Sequence, residues 1–167
     1  MKRGAKNKKT RGSSDKWLLD VCRLLGERGA KYIVIGGVAC NLHGLMRATK
    51  DIDLLIPKDI RNAEVVLEAL GELTFGIAKE LDATEVASKP FTIIGDTPRV
   101  DLLTVARKVK YEEAMETART AKVDGVKIVY AGLDVLLKTK DTDRLQDQAD
   151  IERLKQIKGK RAPKAKP

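Results

Sequence analysis

The sequence predicts an α/β (α+β) fold: a mixed, twisted β-sheet flanked by helices, with further helices toward the C-terminal end. Three observations lead there. Apolar residues recur at helical spacing in two long segments, residues 15 to 29 and 59 to 70. Short apolar runs at 31 to 35 and 51 to 56 are each closed by turn-forming residues, Gly36-Gly37 and Pro57. Residues 91 to 95 and 99 to 105 flank Gly95-Asp96-Thr97-Pro98, a turn composition that suggests a hairpin.

Taken in order, the first helix is expected over 15 to 29. Ser13, Ser14 and Asp15 are its cap candidates, Leu18, Val21, Cys22 and Leu25 its apolar stripe, and Gly29 its stop. A strand follows at 31 to 35, then a short helix from Val38 to His43 stopped by Gly44. The strand at 51 to 56 gives way to a helix capped by Asp59 and running to Leu70, with Ala63, Val66, Leu67 and Leu70 on one face. Asp82 and Glu85 have capping-box spacing, so a short helix is expected before Pro90. After the hairpin come a helix near 111 to 119, a strand at 126 to 130 and C-terminal helices over 133 to 156.

At 167 residues the chain accommodates one domain with a substantial core. Aromatic residues are only 4%, so that core is aliphatic and stacking surfaces for bases are few. No apolar run reaches the roughly 18 residues of a membrane span, and the lysine-rich start does not read as a signal peptide. Cys22 and Cys40 lack metal-ligand spacing and read as reduced core residues, which suits a cytoplasmic location.

The net charge of +9 sits at the two ends. Residues 1 to 12 hold six basic residues and no acid, and residues 155 to 167 hold six more. The remainder carries 21 basic against 24 acidic residues, a net charge of −3. The organisation expected is a disordered basic tail over 1 to 12, a domain over 13 to 156 (core 31 to 131, C-terminal helices 133 to 156), and a second disordered tail over 157 to 167. Such tails either hold polyanions with steep salt dependence or only solubilise the chain.

The chemistry concentrates in "YIVIGGVACNLHGLMRATKDIDLLI", residues 32 to 56. Alternation along "DIDLLI" sends Ile52, Leu54 and Ile56 to one face and Asp51 and Asp53 to the other, about 6 to 7 Å apart. Two neighbouring carboxylates repel, and a divalent cation relieves that repulsion. Oxygen donors suit Mg²⁺, which commonly bridges protein acids to phosphates. A solvated strand face with two exposed acids is the plain alternative. Gly36-Gly37 stands at a strand–helix junction, where residues without side chains admit a ligand to the backbone and helix N–H groups favour phosphate. Asp101, in "RVDLLTV", repeats the hydrophobic–Asp–hydrophobic pattern on a later strand, while Asp96 has a turn context.

Together "IGG" (35 to 37), "DID" (51 to 53) and "VDL" (100 to 102) resemble the signature of the DNA polymerase β-type nucleotidyltransferase superfamily, and within it the small prokaryotic members found in toxin–antitoxin and phage-defence pairs. Lys138, Arg144, Asp147 and Asp150 are similar to a K…R…D…D helical pattern that follows the core in such proteins. The resemblance implies a nucleotidyltransferase-like fold and Mg²⁺-dependent transfer of a nucleoside monophosphate from an NTP to a hydroxyl, with release of pyrophosphate. It implies that Gly36 and Gly37 contact the triphosphate. It implies that Asp51 and Asp53 bind one or two Mg²⁺ ions, or Mn²⁺, and that Asp101 is a third ligand or the general base. Arg47, Thr49 and Lys138 become nucleotide-binding candidates, each with a surface or salt-bridge role as the alternative. His43 reads as a structural histidine before a base contact, and Trp17 as a core or interface anchor. The acceptor is open between RNA, a protein and a small molecule, and a homodimer or partner protein is possible. The competing readings are a non-catalytic nucleotide-binding or regulatory partner protein and a simple nucleic-acid binder working through the tails.

Overall fold

A computed structural model of the protein describes residues 13–95 and 97–161. The first tail, the last six residues of the second tail and Asp96 lie outside the described residues. The chain begins with helix α1 (Ser13–Glu27), strand β1 (Ile33–Ile35) and helix α2 (Gly36–Leu42). Strand β2 (Asp51–Leu55) and helix α3 (Ile60–Leu70) follow, and Asp59 caps α3 by accepting from the Arg61 and Asn62 amides. A 3₁₀ turn (Ile77–Glu80) leads to helix α4 (Ala83–Ser88), where the Asp82 carboxylate accepts from the Glu85 amide. Strands β3 (Phe91–Ile94) and β4 (Arg99–Leu103) form the expected hairpin.

A two-stranded ribbon, β5 (Val105–Ala106) and β6 (Val109–Lys110), precedes helix α5 (Tyr111–Glu116). Strands β7 (Arg119–Val123) and β8 (Val126–Tyr130) come next, then helices α6 (Leu133–Thr139) and α7 (Leu145–Arg161). Among the departures from the sequence expectation, two concern whole segments. The helix expected to 119 ends at Glu116, and β7 follows. β7 lies at the sheet edge with Arg119, Thr120 and Lys122 exposed and only Ala121 and Val123 packed on the core, so its alternation is too short to read as a strand. The turn after it has positive φ at both Asp124 (49°) and Gly125 (80°), the geometry of a tight hairpin. Helix α7 also runs five residues into the segment expected as a disordered tail. Ile157 packs on the core, and the Arg161 guanidinium donates to the His43 carbonyl at 3.0 Å.

The six-stranded sheet has the order β3-β4-β2-β1-β8-β7. β2 runs parallel to β4 and antiparallel to β1, while β1 and β8 are parallel, so the sheet is mixed. Its two faces are covered unequally. The larger core joins Val34, Ile52, Leu54, Val100 and Leu102 to α1, α2, α3 and the C-terminal helices. The opposite face has a small core of Ile33, Ile35 and Leu55 under Ala106, Val109, Ala114 and Val135. β2 is therefore apolar on both faces at its Leu54–Leu55 end. Asp51 and Asp53 continue the Leu55 row beyond the small core, which explains acids on an otherwise buried strand. Among the described residues no helix is long and apolar enough to cross a membrane. Both cysteines are free and buried, and burial pushes each thiol up to about 11.

Candidate active site

The carboxylates are brought together by strand register. β2 and β4 pair in parallel with Asp53 opposite Asp101 and Asp51 opposite Arg99, so all four side chains share one face. Asp101 is 5% exposed, whereas Asp51 and Asp53 are half-buried. Burial, followed by the charges of Asp101 and Asp51 and a hydrogen bond with Asp101, pushes the Asp53 carboxyl up to about 6. Lys140 opposes that rise. The cluster thus carries more negative charge than its surroundings neutralise.

Arg99 supplies part of the missing positive charge. Its Nε and Nη2 donate to the two Asp101 oxygens at 3.0 and 3.2 Å, and Nε lies 3.8 Å from Asp51 Oδ2. The Arg99 side chain is 39% exposed, so this is an accessible counter-ion and not a buried structural pair. No three Asp, Glu, His or Cys side chains stand as a ready-formed metal-ligand group among the described residues.

Gly36 and Gly37 fit closely over the same acids. Gly36 adopts φ +67°, and a Cβ there would lie 2.0 Å from Asp53 Oδ2. A Cβ on Gly37 would meet Thr49 Oγ1 at 2.9 Å and Arg47 Nε at 3.6 Å. Glycine is thus required at both positions for the first turn of α2 to lie against Asp53 and Thr49. Thr49 in turn donates to the Asp51 carbonyl at 3.2 Å, bracing the start of β2.

Arg47 is held from two sides. Asn41 of α2 exchanges two 3.0 Å hydrogen bonds with its backbone, and its guanidinium pairs with Asp150 of α7. Asp150, 1% exposed, also receives Lys140 at 2.9 Å and Gln146 at 3.1 Å. Burial alone would push Asp150 up, but the hydrogen bond and charge of Lys140 outweigh it and hold this carboxyl below its usual range. Lys140 further reaches Asp147 at 3.3 Å.

The structure brings Asp51, Asp53, Asp101, Gly36, Gly37, Thr49 and Arg47 into one region. It does not bring Lys138 there. That side chain is 61% exposed, and its Nζ pairs with Glu113 of α5 at 2.7 Å, because the position sits on the outward side of α6. Lys140, just past the end of α6, is the buried lysine that acts on Asp53 electrostatically. Sequence reasoning missed it, since two lysines two residues apart at a helix end cannot be ranked by spacing. His43 is structural: Nε2 donates to the Ala131 carbonyl at 2.7 Å, Nδ1 accepts from Arg161 at 3.1 Å, and the ring meets Tyr130 edge-on.

A six-stranded mixed sheet with flanking and C-terminal helices, and with acids on adjacent parallel strands, has a nucleotidyltransferase-like fold. The chain is similar in structure to a protein from Thermotoga maritima that is provisionally named a nucleotidyltransferase. The match has a TM-score of 0.52 and 14% identity, and covers 87% of this chain and 89% of that one. No protein-family model matches the sequence, and no curated protein matches it.

Proposed function

We propose that the protein is a metal-dependent nucleotidyltransferase that moves a nucleoside monophosphate from an NTP to a hydroxyl acceptor. The observation that carries this reading is the register that sets Asp53 beside Asp101, with Asp51 on the same face and the Gly36 backbone packed against Asp53. The donor set fits Mg²⁺: oxygen ligands only, an excess of negative charge, and a side-chain-free backbone alongside. Asp51, Asp53 and Asp101 would hold the ion, which when bound polarises the phosphate and neutralises its charge.

The chain's own residues then have distinct tasks. Gly36 and Gly37 let the first turn of α2 lie directly against Asp53 and Thr49, so that a triphosphate docked on that turn sits beside the acids with Arg47 and Thr49 flanking it. Asp150 and Lys140 fix Arg47 and the electrostatic setting of Asp53. Arg99 would release Asp101 to a bound cation, and a carboxylate of the cluster takes the proton of the acceptor hydroxyl. As the acceptor oxygen bonds to the α-phosphorus, the bond from that phosphorus to the bridging oxygen breaks, and pyrophosphate leaves with the electron pair. Positioning and charge supply most of the acceleration.

One observation favours the second reading, a nucleotide-binding or regulatory partner without catalysis: Arg99 already satisfies both oxygens of Asp101. Calorimetry with each of the four NTPs, with and without Mg²⁺, separates the two, followed by transfer of α-labelled nucleotide onto cell extract. The expected result is Mg²⁺-dependent binding, weakened more than about 100-fold in the Asp51→Ala/Asp53→Ala double variant, and label transfer by the wild type alone. Binding without transfer would favour the regulatory partner, and no binding to any NTP would overturn the transferase reading.

A further inference from the structure

A cavity of about 850 Å³ opens beside Asp51 and runs between α1 and α2. One side of it is apolar, with Trp17, Leu18, Val38, Leu42, Met46 and Ile128, while Asp15, Asn41, Arg47, Lys50 and Thr97 add polar groups to the lining. Thr49, Asp51 and Arg99 stand at its polar end. The size and the contrast between an apolar side and polar groups are those of a small-molecule site. The opening is built into the fold. Asn41 clamps the backbone of Arg47 and so fixes the 45 to 50 loop that forms one wall. At the rim Met46 is 79% exposed, an adaptable side chain that the core does not use.

The cavity meets the carboxylate cluster at one point only. Asp51 and Arg99 belong to its wall, whereas Gly36, Gly37, Asp53 and Asp101 do not. Val38 and Ile128 of its wall belong to the main core, on the opposite side of the sheet from the carboxylates. A molecule lying there would approach the acids around the starting end of β2, away from the glycine turn.

We propose that this cavity seats the acceptor, and that the acceptor is a small organic molecule with an apolar ring or chain and a hydroxyl at one end. The inference rests on the transferase reading and names its substrate class. The apolar body lies against Trp17, Leu18 and Leu42, and the hydroxyl points to Asp51. The triphosphate occupies the other side of Asp51, over Gly36 and Gly37, so both substrates bind together.

The test uses the full chain with 2-naphthol as the probe, a ring with one hydroxyl, and reads the emission of Trp17, the only tryptophan. Naphthol is expected to change that emission saturably, with an affinity unaffected or tightened by saturating Mg²⁺ and the NTP that calorimetry identifies. Leu42→Phe, on the half-buried cavity wall at the far end of α2 from the glycine turn, should weaken naphthol binding at least tenfold. Met46→Lys, on the exposed rim and harmless to folding, should weaken it severalfold, and neither should alter NTP affinity. Displacement of naphthol by the NTP would overturn the proposal and assign the cavity to the nucleobase. Absence of saturable naphthol binding would also overturn it, while leaving NTP binding and the transferase reading intact. Failure of every NTP to bind the wild type would overturn the transferase reading and the acceptor role with it.

Discussion

At the scale of single residues, the site depends on two close approaches that tolerate no substitution. Gly36→Ala places a Cβ 2.0 Å from Asp53 Oδ2 at a φ that L-residues avoid. We expect a loss of at least about 1 to 3 kcal/mol in urea unfolding, together with impaired Mg²⁺ binding, because the atom that must move is a carboxylate oxygen of the site. Gly125→Ala is the control: φ is also positive, but a Cβ there meets nothing within 4 Å. Equal effects of the two on Mg²⁺ affinity would show that the Gly36–Asp53 contact is irrelevant to the site. Arg99 provides a second residue-scale prediction. As an exposed counter-ion screened by solvent, it competes with a cation for Asp101. Arg99→Gln should therefore tighten Mg²⁺ binding in the absence of nucleotide, by up to about fivefold, as read by calorimetry. A weaker affinity in the variant would mean that Arg99 orders the carboxylates more than it competes. The three acids were legible in the sequence because strand alternation and apolar flanks are local signals. Arg99 stands two residues before Asp101 and is subject to the same alternation, yet its role depends on which strand β4 pairs with, and no local pattern states that.

At the scale of elements, α7 ties the C-terminal end of the chain to the loop and helix around the site. Asp150 holds Arg47, and Arg161 holds both the ring and the carbonyl of His43. The hydrogen bonds of His43 require the neutral ring. Burial first, then the charges of Arg161 and Arg119, lower its pKa, although the Ala131 carbonyl opposes them. With the folded pKa below the unfolded one, the unfolded chain gains a proton that the folded chain refuses. The His43 contribution is therefore complete above about pH 6.5 and is lost as pH falls through the folded value. Asp53 acts in the opposite sense, because its raised carboxyl makes the folded state take up a proton below about pH 6. Comparison with His43→Gln isolates the histidine: the variant should be less stable at pH 8 and should lose less stability than the wild type between pH 7 and pH 5. Parallel urea midpoints over that range would refute the assignment. Arg161→Ala should cost about 1 kcal/mol. The expected end of the helical domain at residue 156 fell short because α7's last turns carry few apolar residues, and only Ile157 and a tertiary contact reveal that the helix continues. β7 was illegible for a related reason: only Ala121 and Val123 of this edge strand pack on the core, too few to set a period. Its Asp124-Gly125 turn was the available signal.

At the scale of the whole molecule, charge and cavity point to different kinds of partner. The ends of the sequence are basic, and deleting residues 1 to 12 and 162 to 167 lowers the formal net charge from +9 to +1. Any affinity for RNA or another polyanion should go with those segments and fall steeply with salt, by roughly 0.9 of a log unit per tenfold rise in salt for each phosphate neutralised on a duplex and about 0.7 on a single strand. The carboxylate site and the apolar cavity lie wholly between residues 15 and 128. The doubly truncated chain keeps all of α7, and with it the contacts of Asp150 and Arg161. We therefore expect truncation to abolish retention on a heparin column at moderate salt while leaving the melting temperature and Mg²⁺-dependent NTP affinity unchanged. If NTP affinity fell in proportion to the lost charge, and fell equally for inorganic triphosphate, the basic ends would be part of the nucleotide site. The acids would then have no part in holding the nucleotide. If affinity stays constant while polyanion binding disappears, the two properties are separable. The basic segments then concentrate the protein near nucleic acid, and the folded body carries the chemistry.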